Sequence, residues 1–76
     1  KKIRVEGHTD SSGDSETNLE LSEQRAQAVR QALINLGVAA DRVTALGMGE
    51  DFPIASNEDE AGRAQNRRVD VILLDN

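Results

Sequence analysis

An apolar stripe in the first half of the chain is the feature that most constrains its fold. Apolar side chains recur there at spacings of three and four residues: Ala28, Val29, Ala32, Leu33 and Leu36. This period predicts an amphipathic α-helix that packs one face on a core. Gly37 directly follows the stripe and predicts the helix end, because glycine readily adopts the left-handed conformation that closes a helix.

The start of this helix is predicted at Ser22. The Ser22 hydroxyl would accept a hydrogen bond from the backbone N–H of Arg25, and Leu21 would pack against Ala26. Residues 7–18 are rich in Gly, Ser, Asp and Thr, which favour turns over continuous secondary structure. We therefore expect a loop over residues 7–18 and place Arg25 in the first turn of the helix.

Strand-like patterns stand on both sides of the helix. Residues 2–6 alternate polar and apolar side chains, and residues 68–74 alternate at first and then become continuously apolar. Residues 43–46 begin with a β-branched residue. A turn over residues 47–49 and a short helix over residues 57–65 would follow. A helical crossover between the first two strands favours parallel pairing. These elements predict a two-layer α/β fold of order β-α-β-α-β, with a small mixed sheet and one long helix packed on one face.

Size and composition limit the classes of function. The chain has 76 residues, so residues 1–76 form at most one small domain. No cysteine is present, which excludes a disulfide or a thiolate metal site. A net charge of −5 and a single aromatic residue argue against nucleic-acid binding, which usually needs a basic face and stacking side chains. We expect neither a nucleic-acid partner nor a cofactor.

Asp10 and Arg25 are candidates for a binding site. They lie fifteen positions apart, and if the residues between them fold back, a carboxylate at a strand end faces a guanidinium at a helix start. Such a pair would accept a small zwitterion. A cation in the first turn opposes the helix dipole, at about 0.3 to 1 kcal/mol, unless an anion lies beside it. That anion is either a ligand or Asp10 itself, in a structural ion pair.

Several separated motifs occur in a fixed order along the chain. They are Gly7-His8-Thr9-Asp10, Asn18, Leu21-Ser22, Arg25-Ala26, Gly62-Arg63-Ala64 and Asn66-Arg67-Arg68-Val69. Together they resemble the C-terminal OmpA-like peptidoglycan-binding domain, over residues 3–74. That family's domain begins with a further strand and helix, so the resemblance implies that this chain is an N-terminally truncated OmpA-like domain. Thr17 stands where the family often has an aromatic residue.

The resemblance implies a non-enzymatic domain that binds the peptide stem of peptidoglycan. Asp10 would bind the ammonium group of diaminopimelate, and Arg25 its carboxylate. The full set of implied ligand-binding residues is Asp10, Arg25, Arg67, Thr9, Ser11 and Ser12. The parent protein would be attached to a membrane through a segment outside this chain. The domain would anchor this outer-membrane or envelope protein to the cell wall, on the periplasmic side of the outer membrane or cell envelope of a Gram-negative cell.

His8 supports an enzymatic alternative. His8, Asp10 and Asp14 would activate water in a small hydrolase, either with a metal or by acid/base chemistry. Zinc sites usually have three or four protein ligands, and the chain offers no second histidine and no cysteine. We therefore expect His8 to be structural and expect no metal site.

Two surface features remain. Arg63, Arg67 and Arg68 form a basic cluster at the end of the second helix, and at least one of them is expected to cap backbone carbonyls. An exposed sheet edge, with an uncovered apolar face around Ile72 and Leu74, would allow two copies of the chain to pair as a homodimer.

Overall fold

The computed structural model describes residues 1–75, so Asn76, the last residue of the predicted domain, lies outside the described residues. The elements follow the predicted order: β1 (Lys2–His8), α1 (Ser15–Asn35), β2 (Val43–Gly49), α2 (Glu60–Asn66) and β3 (Arg68–Leu74). A single 3₁₀ turn, Ala40–Arg42, precedes β2. The predicted α/β fold is confirmed.

The three strands form one mixed sheet in the order β2-β1-β3. β1 pairs parallel with β2, as the helical crossover predicted, and antiparallel with β3. Helix α1 packs on one face of this sheet, where Val5, Ala26 and Val43 form a small buried core. The core is limited because the facing side chains are mostly small.

Helix α1 begins at Ser15, well before the predicted start at Ser22. Asp14 is the N-cap, and its carboxylate accepts hydrogen bonds from the backbone N–H and the hydroxyl of Thr17, both at 3.1 Å. The loop is therefore only residues 9–14. The prediction failed because Ser, Asp and Thr favour turns and helix N-termini for the same reason, their local side-chain hydrogen bonds.

Ser22 lies in the middle of α1 and is fully buried. Its hydroxyl donates to the backbone carbonyl of Leu19 at 2.7 Å and accepts from the backbone N–H of Gly49 at 2.9 Å. It joins α1 to β2 and caps no helix. Leu21, predicted to pack at the helix start, is 37 % exposed. Arg25 consequently lies in the third turn of α1, and the helix-dipole argument for its partner does not apply.

The predicted end of α1 at Gly37 is confirmed. Gly37 has a φ of 109°, which glycine adopts without a side-chain clash. Its N–H donates to the carbonyl of Ile34, and the N–H of Val38 donates to the carbonyl of Leu33, both at 3.0 Å. These two bonds form a Schellman motif, which satisfies the last carbonyls of the helix.

Helix α2 is shorter than predicted and begins three residues later than residue 57. Asp59 is its N-cap, and the Asp59 carboxylate accepts a hydrogen bond from the N–H of Gly62 at 2.7 Å. Within residues 1–75, no helix combines the length and the apolar character that crossing a membrane requires.

Strand β2 extends through residues 47–49, so the predicted turn there is wrong. A Cβ on Gly47 would lie 2.6 Å from the backbone nitrogen of Glu23, and a Cβ on Gly7 would overlap the carbonyl oxygen of Ser22. These glycines allow the backbone of α1 to lie directly on the two strands. They act through their missing side chains and not as turn residues.

Helix α1 covers β1 and β2 but leaves the same face of β3 open. Val71 and Leu73 lie on that face and are 51 % and 71 % exposed. The predicted uncovered residues, Ile72 and Leu74, are on the opposite face and are half-buried. The apolar exposure was therefore predicted on the correct strand but on the wrong face. Dimerisation through this edge stays a prediction.

Candidate ligand-binding site

The Asp10 carboxylate lies in the loop after β1 and is held on both oxygens. Oδ1 accepts the backbone N–H of Ser12 at 2.8 Å, and Oδ2 accepts Nη1 of Arg67 at 2.6 Å. The Ser12 hydrogen bond and the Arg67 guanidinium lower the pKa of Asp10 below its ordinary value, against the opposing effect of burial. Asp10 is therefore an ionised, oriented carboxylate, and the alternative Asp10–Arg25 ion pair is replaced by an Asp10–Arg67 pair.

Arg67 shares its guanidinium between two acids. Its Nη2 donates to Oε2 of Glu60 at 2.6 Å, and the other oxygen of Glu60 accepts Nε of Arg63 at 3.2 Å. The hydrogen bond with Glu60, which has the larger effect, and the one with Asp10 both raise the pKa of Arg67. Asp10, Arg67, Glu60 and Arg63 thus form a row of alternating charge, called here the charge row.

Asn18 fixes the Asp10 loop onto α1. Its side chain is buried, and Nδ2 donates to the carbonyls of Asp10 at 3.3 Å and Ser12 at 2.9 Å, and to Oε1 of Glu50 at 2.9 Å. An amide group has two hydrogens, so one is shared between acceptors. Sequence reasoning placed Asn18 in a motif but assigned it no role. The available signal was its spacing, since Asn18, Ser22 and Ala26 continue one helix face.

Asn66 holds the other side of the loop and was also missed. It is fully buried, and its Oδ1 accepts the backbone N–H groups of Ile54 at 2.8 Å and Ala55 at 3.0 Å. Its Nδ2 donates to the carbonyl of Ala55 and to Oδ1 of Asn57. The same Asn57 oxygen accepts the N–H of Ser11 at 3.2 Å. These partners lie far from Asn66 in sequence, so no local pattern indicates them.

Arg25 lies on the flank of α1 that Asn18 occupies. Seven residues are almost two full turns of a helix, so the two side chains point within about 20° of each other. Arg25 is half-buried, and within residues 1–75 it makes no ion pair and no side-chain hydrogen bond. Its guanidinium is therefore unpaired on the side of the helix where Asp10 is held.

The remaining predicted site residues surround Asp10. Ser11 and Ser12 are exposed at the loop surface. Thr9 is buried, and its hydroxyl donates to the carbonyl of Asp10 at 2.9 Å. Thr9 thus supports the loop from inside, and its contact with a ligand stays a prediction, as do those of Ser11 and Ser12.

The basic cluster at the end of α2 divides by role. Nη1 of Arg63 donates to the carbonyl of Asn57 at 3.0 Å, and Nη2 of Arg68 donates to the carbonyl of Phe52 at 3.1 Å. These two arginines cap carbonyls, as expected for at least one of the three. Arg67 is the member that contacts Asp10.

His8 lies on the sheet face opposite α1 and is 2 % exposed. Its Nε2 is 3.5 Å from Oδ2 of Asp70 and 3.6 Å from Oε1 of Glu6, too far for hydrogen bonds. This trio has the donor types of a metal site, which sequence reasoning did not anticipate. However, the guanidinium groups of Arg4 and Arg68 already pair with the two carboxylates. Their positive charge opposes the binding of a dication, and a structural role of His8 stays a prediction.

The residues of the enzymatic alternative are not brought together. Asp10 pairs with Arg67, and Asp14 caps α1 through its carboxylate. The carboxylates beside His8 are Glu6 and Asp70 instead. The geometry therefore does not assemble a water-activating group from His8, Asp10 and Asp14.

Comparison with known proteins identifies the family of this chain. A family model described as the OmpA family matches residues 1–67. The chain belongs to the OmpA family. Outer membrane porin F of Pseudomonas fluorescens is 53 % identical over 69 residues, which are 91 % of this chain and 21 % of that protein. Peptidoglycan-binding protein ArfA of Mycobacterium tuberculosis is 42 % identical over 72 residues, which are 95 % of this chain and 22 % of that protein.

A solved structure agrees with the OmpA assignment. The peptidoglycan-associated lipoprotein of Burkholderia pseudomallei superposes with a TM-score of 0.90 and 46 % identity, over 93 % of this chain and 60 % of that one. The mixed sheet with α1 on one face is therefore the OmpA-like fold. The chain spans about a fifth of the two relatives named above. The relatives named here are a porin, a peptidoglycan-binding protein and a peptidoglycan-associated lipoprotein, and this OmpA domain is not an enzyme.

Proposed function

We propose that this OmpA domain binds the peptide stem of peptidoglycan through its diaminopimelate residue and anchors an envelope protein to the cell wall. The proposal is supported by an ionised, oriented carboxylate, Asp10, whose loop is held on the flank of α1 that also carries Arg25, an arginine without an ion pair within residues 1–75. Diaminopimelate ends in a carbon that bears both an ammonium and a carboxylate group. The two protein charges are complementary to these two groups.

The spacing along α1 supports this pairing. Asn18 holds the Asp10 loop, and Arg25 lies about 10 Å further along the helix at 1.5 Å per residue. Long side chains on a helix lean toward its N-terminus, so we expect the Arg25 guanidinium to extend toward the end of α1 that holds the Asp10 loop. A group carrying both charges fits between a carboxylate and a guanidinium placed in this way. Arg67, Thr9, Ser11 and Ser12 would border the ligand.

The named relatives support the choice of ligand and compartment. One is named a peptidoglycan-binding protein, one an outer membrane porin and one a peptidoglycan-associated lipoprotein. We infer that the domain acts in the cell envelope, on the periplasmic side of the outer membrane. Its parent would be attached to that membrane through a segment outside this chain.

Sedimentation with isolated sacculi tests the proposal. The domain should co-sediment with diaminopimelate-type sacculi, and Asp10→Asn and Arg25→Gln should each abolish retention. Asp41→Asn and Arg42→Gln are matched controls. They remove the same charges, one acid and one arginine, from exposed residues in the 3₁₀ turn before β2. The controls should be retained like the parent.

Two outcomes would contradict the proposal. One is retention of Asp10→Asn and Arg25→Gln at the level of their controls. The other is equal retention on lysine-type sacculi, whose stem lacks the extra carboxylate, because Arg25 would then have no ligand group to bind. Release of soluble wall fragments would instead favour the enzymatic alternative.

A further inference from the structure

Glu60 is the exposed acid of the charge row, and the binding function as proposed assigns it no role. Its Oε2 accepts Nη2 of Arg67 at 2.6 Å, the same distance that separates Nη1 of Arg67 from Oδ2 of Asp10. One guanidinium is therefore divided between an acid at the candidate site and an acid outside it.

We propose that Glu60 is a positioning residue that draws Arg67 away from Asp10 and so keeps the Asp10 carboxylate able to accept the ammonium group of a ligand. This inference rests on the proposed function. A carboxylate that a guanidinium binds with both of its N–H edges has few acceptor positions left. With Glu60 in place, Arg67 offers Asp10 a single N–H group, and Ser12 occupies only the other oxygen.

The charge balance points in the same direction. The charge row contains two acids and two arginines, so its formal charge is zero. Removing the charge of Glu60 leaves Arg67 and Arg63 with only Asp10 to balance them, and the row becomes positive. Without the Glu60 charge, Arg67 is attracted to Asp10 alone, which directs its guanidinium fully onto that carboxylate.

The position of Glu60 allows a clean substitution. Its side chain is 66 % exposed, so its replacement leaves no cavity. The start of α2 does not depend on it, because Asp59 caps the helix and bonds to Gly62. Glu58 provides a matched control, since it is an exposed acid two residues away and its carboxylate makes no ion pair within residues 1–75.

The test compares the affinities of Glu60→Gln and Glu58→Gln for a soluble muropeptide that carries diaminopimelate, by isothermal titration calorimetry at low salt. Glu60→Gln should bind about twofold to fivefold more weakly than the parent, the range in which exposed ion pairs contribute. Glu58→Gln should bind like the parent. Affinity for Glu60→Gln equal to that of Glu58→Gln, or higher than that of the parent, would overturn the inference.

Two further measurements separate positioning from a merely structural effect. In an Arg67→Gln background, adding Glu60→Gln should have no effect on affinity, because the residue through which it acts is absent. The Glu60→Gln loss should also disappear when the ammonium group of the muropeptide is acetylated. A loss that persists in either case would refute the mechanism, whatever its size.

The outcome also distinguishes this inference from the proposed function. If the parent does not bind the muropeptide, or Asp10→Asn binds it equally well, the proposed function itself fails. If the parent binds, Asp10→Asn does not, and Glu60→Gln behaves like Glu58→Gln, only the role of Glu60 fails. Circular dichroism spectra of all variants establish that each is folded.

Discussion

Asn66 is predicted to contribute a large share of the stability of this domain. It is fully buried, and its side-chain amide makes four hydrogen bonds. Asn66→Ala removes all four and leaves the N–H groups of Ile54 and Ala55 without their acceptor. At about 1 kcal/mol for each bond, reduced because water reaches the partly exposed partners of Asn66, the free energy of unfolding should fall by about 2 to 4 kcal/mol. Domains of this size have only about 4 to 11 kcal/mol in total.

The measurement is urea denaturation followed by circular dichroism, together with thermal unfolding. The midpoint temperature of Asn66→Ala should fall by roughly 10 to 30 °C. Asn35→Ala is the matched control, because Asn35 is exposed and its side chain makes one hydrogen bond, with Gln31. The control should change the free energy of unfolding by less than about 0.5 kcal/mol. Equal midpoints for the two variants would refute the role assigned to Asn66.

Three further perturbations test the packing and the charges. Gly7→Ala should lower the unfolding free energy by at least about 1 to 3 kcal/mol, because its Cβ would overlap backbone of α1; an unchanged urea midpoint would contradict this. Ser22→Ala should lower the free energy of unfolding by about 1 to 3 kcal/mol, since the buried N–H of Gly49 loses its acceptor. Ser15→Ala, at an exposed position of the same helix, should leave it nearly unchanged. Similar losses for both variants would argue against the hydrogen bond that joins α1 to β2 through Ser22. Hydrogen bonds lower the pKa values of Asp10 and Glu60 below 3.8 and 4.5, so their stabilisation is present above those values and is lost as the pH falls through the folded pKa values. The urea midpoint should therefore decrease as the pH falls below about 4.5, and it should decrease less steeply in Asp10→Asn. An equal dependence of the midpoint on pH in the parent and in Asp10→Asn would contradict the stabilising role of ionised Asp10.

Helix α1 shows what the sequence could and could not predict about the fold. Its end depends on Gly37 and on bonds between residues at most five positions apart, so a local pattern was sufficient. Its start was missed because the first turns carry polar side chains, and Asp14 reads equally well as a loop residue or a helix cap. Buried Asn18 and Ser22 continue the packed face of the helix with polar side chains, ahead of the apolar stripe that predicted it. Their partners include groups far away in the sequence, the Glu50 carboxylate for Asn18 and the Gly49 N–H for Ser22.

The candidate site was predictable only in part. The motifs drew attention to Asp10, Arg25 and Arg67, and the structure brings Arg67 to Asp10. The expected first-turn position of Arg25 was wrong, and its contact with a ligand remains a prediction. Glu60 could not be found from the sequence, because its relation to Asp10 passes through a third side chain and exists only once α2 has docked.

The contact between Asp10 and Arg67 joins positions 57 residues apart. This contact can form only when most of the chain is present and folded, because the entropy lost on closing the loop must be offset by the packing of the residues between these two positions. A partly synthesised or partly exported chain would contain β1, Asp10 and α1 but not Arg67, which orients the Asp10 carboxylate. Under the proposed function, wall capture would begin only after the final strand emerges, which ties attachment to completed delivery of the domain.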